Sequence, residues 1–494
     1  MTFRAYVQQL GLVATVAAGA LAAPALAQGQ PAPRPAATAQ TQGPVDLMPP
    51  AVAQPVVQAT PAPTPPPPPP HWPLRDAQAL LGVINGVAAD GLDPKDYEPA
   101  TLAAAIAGGE GPALDALATR LFAWVVEDVR DGRTPMDARV QWFAVDPDRD
   151  VNPTAVVLAR ALEQGNVAGE IAALAPTHPD YAALKQALAA GTGDRALIRA
   201  NMDRWRWLAR DMGKQYLLTN VPEYMLRLTV NNRVITSFRT VVGAPKTPTP
   251  QLAEIVEGVI FNPTWTVPQS IVKGEGLGAK VLGNPGWARA AGYKAVKGAD
   301  GFVTVVQQPG KNNSLGLVKL DMPNPHAIFL HDTPAKSLFS APSRAFSHGC
   351  IRVDRATEMG MLMAMLGANL TKEEAVAHNL SGEYTKVPMT KTFPVYITYF
   401  TMARDVGGQM KKFADVYGRD APVLAALKAP RQLHTDQRKS NEKVIEIVDD
   451  LGAVYSRLRL VSTALAQLCP GAPVTPPPGC VPAPHIHSPL SGPR

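Results

Sequence analysis

Two short stretches, residues 327–334 (AIFLHDTP) and residues 347–353 (SHGCIRV), carry the strongest signal for the fold of this chain. The first is an apolar run of the strand type that ends at His331, and the second places Cys350 in a turn. The two residues are 19 positions apart. A histidine at a strand end and a cysteine at the next turn can therefore meet across one loop.

Cys350 is a candidate nucleophile, because the groups that activate a thiol are close to it in sequence. A cysteine with its ordinary pKa of about 8.5 forms few thiolates at neutral pH, so it needs a base or a nearby positive charge. His331 is the candidate base, and both a charged imidazole and Arg352 would lower the pKa of the thiol. Gly349 permits a tight turn and offers, with Cys350 itself, backbone amides to an oxyanion.

Two other interpretations of these residues stay open at this level. A lone buried cysteine can be an inert core residue, and a lone histidine at a strand end can simply satisfy a hydrogen bond. A metal site is also conceivable, although the spacing does not match that of the common zinc-binding pairs. Its ligands would be His326, His331, His348 and Cys350.

The hydrophobic pattern divides the body of the chain into two predicted domains, which together give an α+β fold. Residues 73–213 repeat apolar side chains at steps of three and four, which predicts an α-helical domain. Over residues 214–430 the period changes to two, with a hairpin turn at Asn231-Asn232, which predicts a β-rich domain. Residues 268–298 interrupt the strands with Gly-rich, partly helical sequence, and we expect this insertion to be a lid.

The N-terminal segments predict export. Residues 1–27 have the pattern of a cleaved signal peptide, with an Ala-rich apolar run and a small-x-small motif, Ala25-Leu26-Ala27. Export predicts a periplasmic location, and an uncleaved segment would hold the protein near a membrane. Residues 28–72 contain six consecutive prolines and predict an extended, semi-rigid linker.

The C-terminal segment, residues 431–494, is predicted to form a helix over 441–468 and then a disordered, Pro-rich tail. Cys469 and Cys480 flank a Pro- and Gly-rich stretch of this tail and could form a disulfide. Cys350 is then the odd thiol of an exported chain, which is a reason to regard it as reactive.

Composition excludes two classes of protein. The net charge of +6 is small and scattered over 494 residues, so nucleic acid is not a predicted partner. No apolar run of 20 residues follows the N-terminus, which excludes a multi-span membrane protein. Neither observation predicts an oligomeric state.

The string SHGCIR at residues 347–352, with a histidine 19 positions before the cysteine, resembles the signature of the L,D-transpeptidases with a YkuD-type catalytic domain. Residues 330–336 (LHDTPAK), 262–268 (NPTWTVP) and 394–399 (PVYITY) resemble the large Gram-negative branch of that family typified by YcbB. Upstream, Asp131-Gly132-Arg133 resembles part of the helical scaffold domain of that branch.

The resemblance implies a β-rich catalytic domain with a lid, a helical scaffold domain, and peptidoglycan stem peptides as partners. It implies that Cys350 attacks the third residue of a tetrapeptide stem, that His331 transfers the protons, and that an amine acceptor completes a 3→3 cross-link. Neither a metal nor an organic cofactor is implied. The remaining motif residues, Ser347, His348, Gly349 and Arg352, are expected to form the oxyanion site and the pocket.

Two further functions stay open beside this one. The same cysteine with water as the acceptor would make the protein a peptidoglycan or lipoprotein-link hydrolase. A protein that binds the cell wall without catalysis would need neither residue, whereas this chain has both Cys350 and His331. The sequence alone does not separate transfer from hydrolysis.

Overall fold

The computed structural model of the protein describes residues 70–431, 444–448 and 450. The predicted signal peptide, most of the predicted linker, both C-terminal cysteines and the Pro-rich tail lie outside the described residues. Within the described part, no helix is both long and apolar enough to cross a membrane.

The N-terminal half of the described chain is helical, as predicted. Most of these helices begin at a proline or at a side chain that caps the free backbone amides, which fixes where each one starts. The helices are α1 (Leu74–Gly86), α2 (Pro99–Ala107), α3 (Pro112–Arg130), α4 (Asp148–Val151), α5 (Thr154–Glu163), α6 (Val167–Ala172), α7 (Pro179–Ala189) and α8 (Arg195–Trp205). The apolar faces of α1, α2, α3, α5 and α6 enclose one core. Those of α7 and α8 pack into a second core, which they share with strand residues such as Leu218 and Tyr396.

Trp72, which the sequence analysis placed at the end of the linker, belongs to the first of these two cores. Its side chain is fully buried and stacks edge-on against Phe122. Its backbone amide donates to Asp115 Oδ1 at 2.7 Å, and its indole Nε1 donates to Thr119 Oγ1 at 2.9 Å. The helical domain therefore begins before the predicted boundary at residue 73.

The second half of the chain is built on one mixed sheet, which confirms the predicted β-rich domain. The strands of this half are β1 (Tyr216–Asn220), β2 (Met225–Val230), β3 (Arg233–Gly243), β4 (Ala253–Ile255), β5 (Gly258–Phe261), β6 (Trp265–Thr266), β7 (Tyr293–Lys297), β8 (Val303–Gln307), β9 (Val318–Asp321), β10 (Leu330–His331), β11 (Ala345–Ser347), β12 (Ile351–Val353), β13 (Thr385–Pro388), β14 (Pro394–Thr398), β15 (Met402–Arg404) and β16 (Met410–Lys412). The main sheet has the order β13-β5-β9-β10-β12-β3-β2-β1-β14-β4, and β11 pairs with β3.

The predicted hairpin joins β2 to β3. Asn231 and Asn232 both have positive φ angles, of 51° and 59°, which is the backbone of the two-residue turn that suits the twist of paired strands. Asparagine tolerates this conformation better than other non-glycine residues, so the two asparagines explain why the chain reverses here.

The two faces of the sheet have different roles. Leu320, Leu330 and Ile351 lie on one face and pack into the hydrophobic core with Leu362. Leu362 belongs to α12 (Ala356–Gly367), which precedes α13 (Lys372–Leu380) and α14 (Asp420–Ala426). Because side chains alternate along a strand, the residues between these apolar positions face the opposite side, and His331 is one of them.

The predicted lid is a small folded unit with its own core. It comprises β6, α9 (Gln269–Gly274), α10 (Leu277–Gly283), α11 (Pro285–Ala290), β7 and β8, and its strands form a separate sheet in the order β6-β8-β7. Val267, Val272, Val281 and Val305 pack together inside it. At its base, the Asn313 side-chain amide donates to the carbonyls of Pro263 and Gln308, each at 2.9 Å. These bonds fix both ends of the insertion, and its function as a lid stays a prediction.

The C-terminal helix predicted over 441–468 is not observed where the chain is described. Residues 444–448 have no regular secondary structure, and their side chains alternate between exposed and half-buried positions. Ile445 packs against the core beside the scaffold helices. Asp450 accepts hydrogen bonds from Gln215 Nε2 and from the backbone amide of Thr392, at 2.9 and 2.7 Å. Ile445 and Asp450 thus contact the body, whereas Val444 and Val448 are exposed, so these residues do not form the apolar face of a helix.

Candidate active site

The pairing of β10 with β12 brings the two halves of the sequence motif together. The strands are parallel, with Leu330 opposite Ile351 and His331 opposite Arg352. The Ile351 amide donates to the Phe329 carbonyl at 2.9 Å, just before the paired segment. Cys350 therefore lies at the start of β12, next to the strand that ends in His331.

His331 is buried and has a defined tautomer. Its Nδ1 lies 2.5 Å from the Asp332 backbone carbonyl, and because a carbonyl can only accept, Nδ1 carries the proton. Nε2 is then the unprotonated, basic nitrogen. Burial lowers the pKa of His331 to about 4, so the imidazole is neutral at physiological pH.

Asp332 orients the loop after β10, and its carboxylate bonds to groups other than the imidazole. One carboxylate oxygen accepts from the Leu317 amide at 2.9 Å, and the other pairs with Lys336. Gly316, with φ +63°, lies so close that a Cβ there would fall 2.3 Å from Asp332 Oδ2. The partner of His331 is thus a backbone carbonyl rather than a third charged side chain.

Cys350 is a half-buried free thiol whose pKa burial raises above its ordinary value. The Phe329 amide, Lys319 and Arg352 oppose that rise but do not reverse it. The sequence analysis expected a charged imidazole to lower the pKa of the thiol, and that expectation is wrong because burial keeps His331 neutral. At neutral pH the pair is a thiol beside a neutral base.

The turn before Cys350 is closed by Ser347. Its hydroxyl donates to the Cys350 carbonyl at 2.5 Å and accepts from the Gly349 amide at 3.2 Å. The Gly349 carbonyl accepts from Thr249 Oγ1 at 2.7 Å. Gly349 has a φ of +114°, which disfavours any residue with a side chain. Since the Gly349 amide is already bonded to Ser347, the Cys350 amide is the better of the two predicted oxyanion donors.

His348 connects the nucleophile turn to the insertion. Its side chain is exposed, and its Nε2 lies 3.2 Å from Glu275 Oε1, between α9 and α10. This contact places the predicted lid beside the residue two positions before Cys350. Arg352, the last of the predicted pocket residues, is half-buried on the same face as His331.

Lys319 also belongs to this site, although the sequence analysis did not predict it. It lies on β9 directly opposite His331, and its ammonium is 3.5 Å from the centroid of the Phe329 ring. The alternation of apolar and polar residues along β9 is the sequence signal that indicates its position. Lys319 lies between the core residues Val318 and Leu320 and so faces the same side as His331.

The zinc interpretation finds no support in the part of the chain that the structure describes, where no three His, Cys, Asp or Glu side chains come together. His326 stacks on Phe143 with ring centroids 4.1 Å apart. His331 is bonded through Nδ1 to a carbonyl, and His348 faces Glu275.

A free thiol and a neutral imidazole at adjacent strands are the residue types that a cysteine-dependent acyl-transfer enzyme uses. Comparison with known protein families specifies the class further. Residues 214–369 match the L,D-transpeptidase catalytic domain, YkuD, and residues 70–188 match the Scaffold domain. The chain thus contains a catalytic domain of the L,D-transpeptidase family preceded by a Scaffold domain.

The sequence identity to individual known proteins is low. A candidate L,D-transpeptidase from Haemophilus influenzae is 27% identical over 226 residues, which cover 42% of this chain and 45% of that protein. The chain therefore matches less than half the length of this curated relative.

The comparison with solved structures finds L,D-transpeptidases at low identity and low TM-score. The catalytic domain of the E. faecium enzyme, acylated by ertapenem, is 14% identical and covers 38% of this chain and 98% of that one, with a TM-score of 0.21. An enzyme from Mycobacterium smegmatis is 12% identical and covers 37% of this chain and 58% of that one, with a TM-score of 0.19.

Proposed function

We propose that this protein is a peptidoglycan L,D-transpeptidase of the periplasm that makes 3→3 cross-links between stem peptides. The observation that carries the proposal is that a free Cys350 thiol and a neutral His331, whose Nε2 is basic, lie at the paired strands β12 and β10 of a domain that matches the catalytic domain of that family. The periplasmic location rests on the signal-peptide pattern of residues 1–27.

In the first half of the reaction, Cys350 Sγ attacks the carbonyl of the third residue of a tetrapeptide stem. His331 Nε2 takes the proton from the thiol as the sulfur–carbon bond forms, and then gives it to the amine of the departing D-alanine as the carbon–nitrogen bond breaks. The Cys350 amide donates to the oxyanion of the tetrahedral intermediate. The product is a thioester between Cys350 and the shortened stem.

In the second half, the side-chain amine of a second stem attacks the thioester carbonyl. His331 Nε2 accepts a proton from that amine, the carbon–sulfur bond breaks, and the departing Cys350 thiolate recovers the proton from the imidazolium. The insertion supports transfer over hydrolysis, because the contact of Glu275 with His348 places it against the nucleophile turn. A closed insertion would shield the thioester from water.

Acylation by a carbapenem tests the proposed nucleophile. The sequence resemblance implies that the strained β-lactam carbonyl replaces the scissile amide, so the intact protein should gain one carbapenem mass. Peptide mapping should place the adduct on Cys350, and the variant Cys350→Ala should gain none. Adducts on Cys469 or Cys480, or an unmodified protein at high drug concentration, would contradict the assignment.

A further inference from the structure

Two positive charges flank the Cys350 thiol without a carboxylate of their own. Lys319 and Arg352 are both half-buried, and neither makes an ion pair with an acidic side chain within the described residues. The nearest acidic neighbour of Lys319 along its strand is Asp321, which is engaged by Lys386 at 2.6 Å. A desolvated cation without a partner is unfavourable, so the two residues indicate that an anion forms between them at some stage of the reaction.

The sheet register holds these cations in a fixed position relative to the thiol. Lys319 on β9, His331 on β10 and Arg352 on β12 are direct neighbours in one row across the sheet, and all three face away from the hydrophobic core. Cys350 precedes Arg352 by two residues and so faces the same side. Phe329 lies beside Cys350 at the start of the paired segment, and its ring carries the Lys319 ammonium.

His331 is a poor counter-charge for a thiolate before the reaction begins. Burial is the largest cause that lowers its pKa, Arg352 and Lys319 lower it further, and the Asp332 carbonyl and carboxylate oppose this only in part. The same two cations favour the ionised form of Cys350, and the thiolate in turn favours their charged forms. The groups that act on the thiol from the neighbouring strands are therefore Lys319 from β9, the Phe329 amide from β10 and Arg352 from β12.

We propose that Lys319 is a positioning residue whose ammonium, held over the Phe329 ring in the row that contains His331 and Arg352, is the counter-charge of the Cys350 thiolate. As the proton moves from Sγ to His331 Nε2, the negative charge that develops on sulfur is balanced by Lys319 and Arg352. Within the catalytic cycle this role rests on the proposed function, but the ionisation of the thiol is measurable without any peptidoglycan substrate.

The test is the pH dependence of Cys350 alkylation by iodoacetamide between about pH 7 and 11, resolved by mass spectrometry of the peptide that contains Cys350. The variant Lys319→Met keeps the length of the side chain and removes its charge, and Lys319→Gln is a second neutral variant in case the first does not fold. Lys319→Arg keeps the charge. Lys411→Met removes an exposed charge on β16 and controls for net charge.

Both neutral variants should raise the apparent pKa of Cys350 by about one unit or more, because a unit charge even about 10 Å from a partly buried thiol interacts by about 1.7 kcal/mol at an effective dielectric of about 20, and one pKa unit corresponds to about 1.4 kcal/mol. Lys319→Arg and Lys411→Met should stay within about 0.3 units of the parent protein. His331→Gln should shift the pKa less than Lys319→Met. A Lys319→Met profile that superimposes on the parent, or a larger shift in His331→Gln, would overturn the proposal. Failure of the proposed function itself would appear in product analysis and would leave these profiles unchanged.

Discussion

Cys350→Ser should lose carbapenem acylation and peptide turnover by a factor on the order of 10³ or more while the fold is retained. A hydroxyl has a pKa far above that of a thiol, so it needs a stronger base. The proposed base is a neutral imidazole whose Nδ1 bonds to a backbone carbonyl and makes no hydrogen bond to a carboxylate that would strengthen it. Serine can still donate to the Ala327 carbonyl, which Cys350 Sγ contacts at 3.5 Å, so little stability should be lost.

The measurement combines acylation rates with thermal unfolding of the parent protein and the variant. Lys411→Met is the matched control, because it changes an exposed side chain on β16 that pairs with Asp405 and takes no part in the site. If Cys350→Ser kept more than about a tenth of the parent rate, the nucleophile would have to be another group.

His331→Gln should slow acylation by a factor on the order of 10² to 10⁴, the range that a positioned general base contributes. The pH dependence gives a sharper expectation. Because burial lowers the pKa of His331 to about 4, Nε2 stays available as a base down to that pH. The acid limb of the parent rate profile should therefore lie below the usual histidine pKa of about 6.5, and it should be absent in His331→Gln.

Rates of carbapenem acylation from about pH 3.5 to 8 measure this limb, with circular dichroism at each pH to separate protonation from unfolding. An acid limb centred near 6.5 in a folded protein would show that His331 has an ordinary pKa. In that case the neutral-pair description of the site would be wrong.

Local features of the sequence predicted much of the architecture. Asn231-Asn232 specifies a turn through backbone preferences that act over four residues, and the structure has the hairpin there. Apolar residues likewise recur every three or four positions along α3, which predicts a helix with one buried face, and the structure has that helix there. The short separation of His331 from Cys350 predicted their adjacency, which the parallel pairing of β10 with β12 now explains.

The charge state of the site could not be predicted in this way, because it depends on burial by distant segments. The sequence shows that an imidazole lies near a thiol but not that the imidazole is desolvated, and desolvation reverses the expected effect on Cys350. Lys319 was missed for a related reason: it is 31 positions before Cys350 and enters the site only through the order of β9 and β10 in the sheet.

Residue type alone also failed to predict two contacts, one at the Gly349 amide and one near residue 445. The Gly349 amide, expected to bind an oxyanion, donates instead to the Ser347 hydroxyl. Ile445 and Asp450 contact the body of the protein, and residues 444–448 have no helical structure.

The central claim, that Cys350 transfers a stem peptide to an amine, is tested most directly by the products formed from purified tetrapeptide muropeptides. The account predicts release of D-alanine and formation of 3→3 cross-linked dimers in excess of free tripeptide, with neither product in Cys350→Ala. Tripeptide as the sole product, even at high acceptor concentration, would contradict transfer and make the protein a hydrolase that uses the same cysteine.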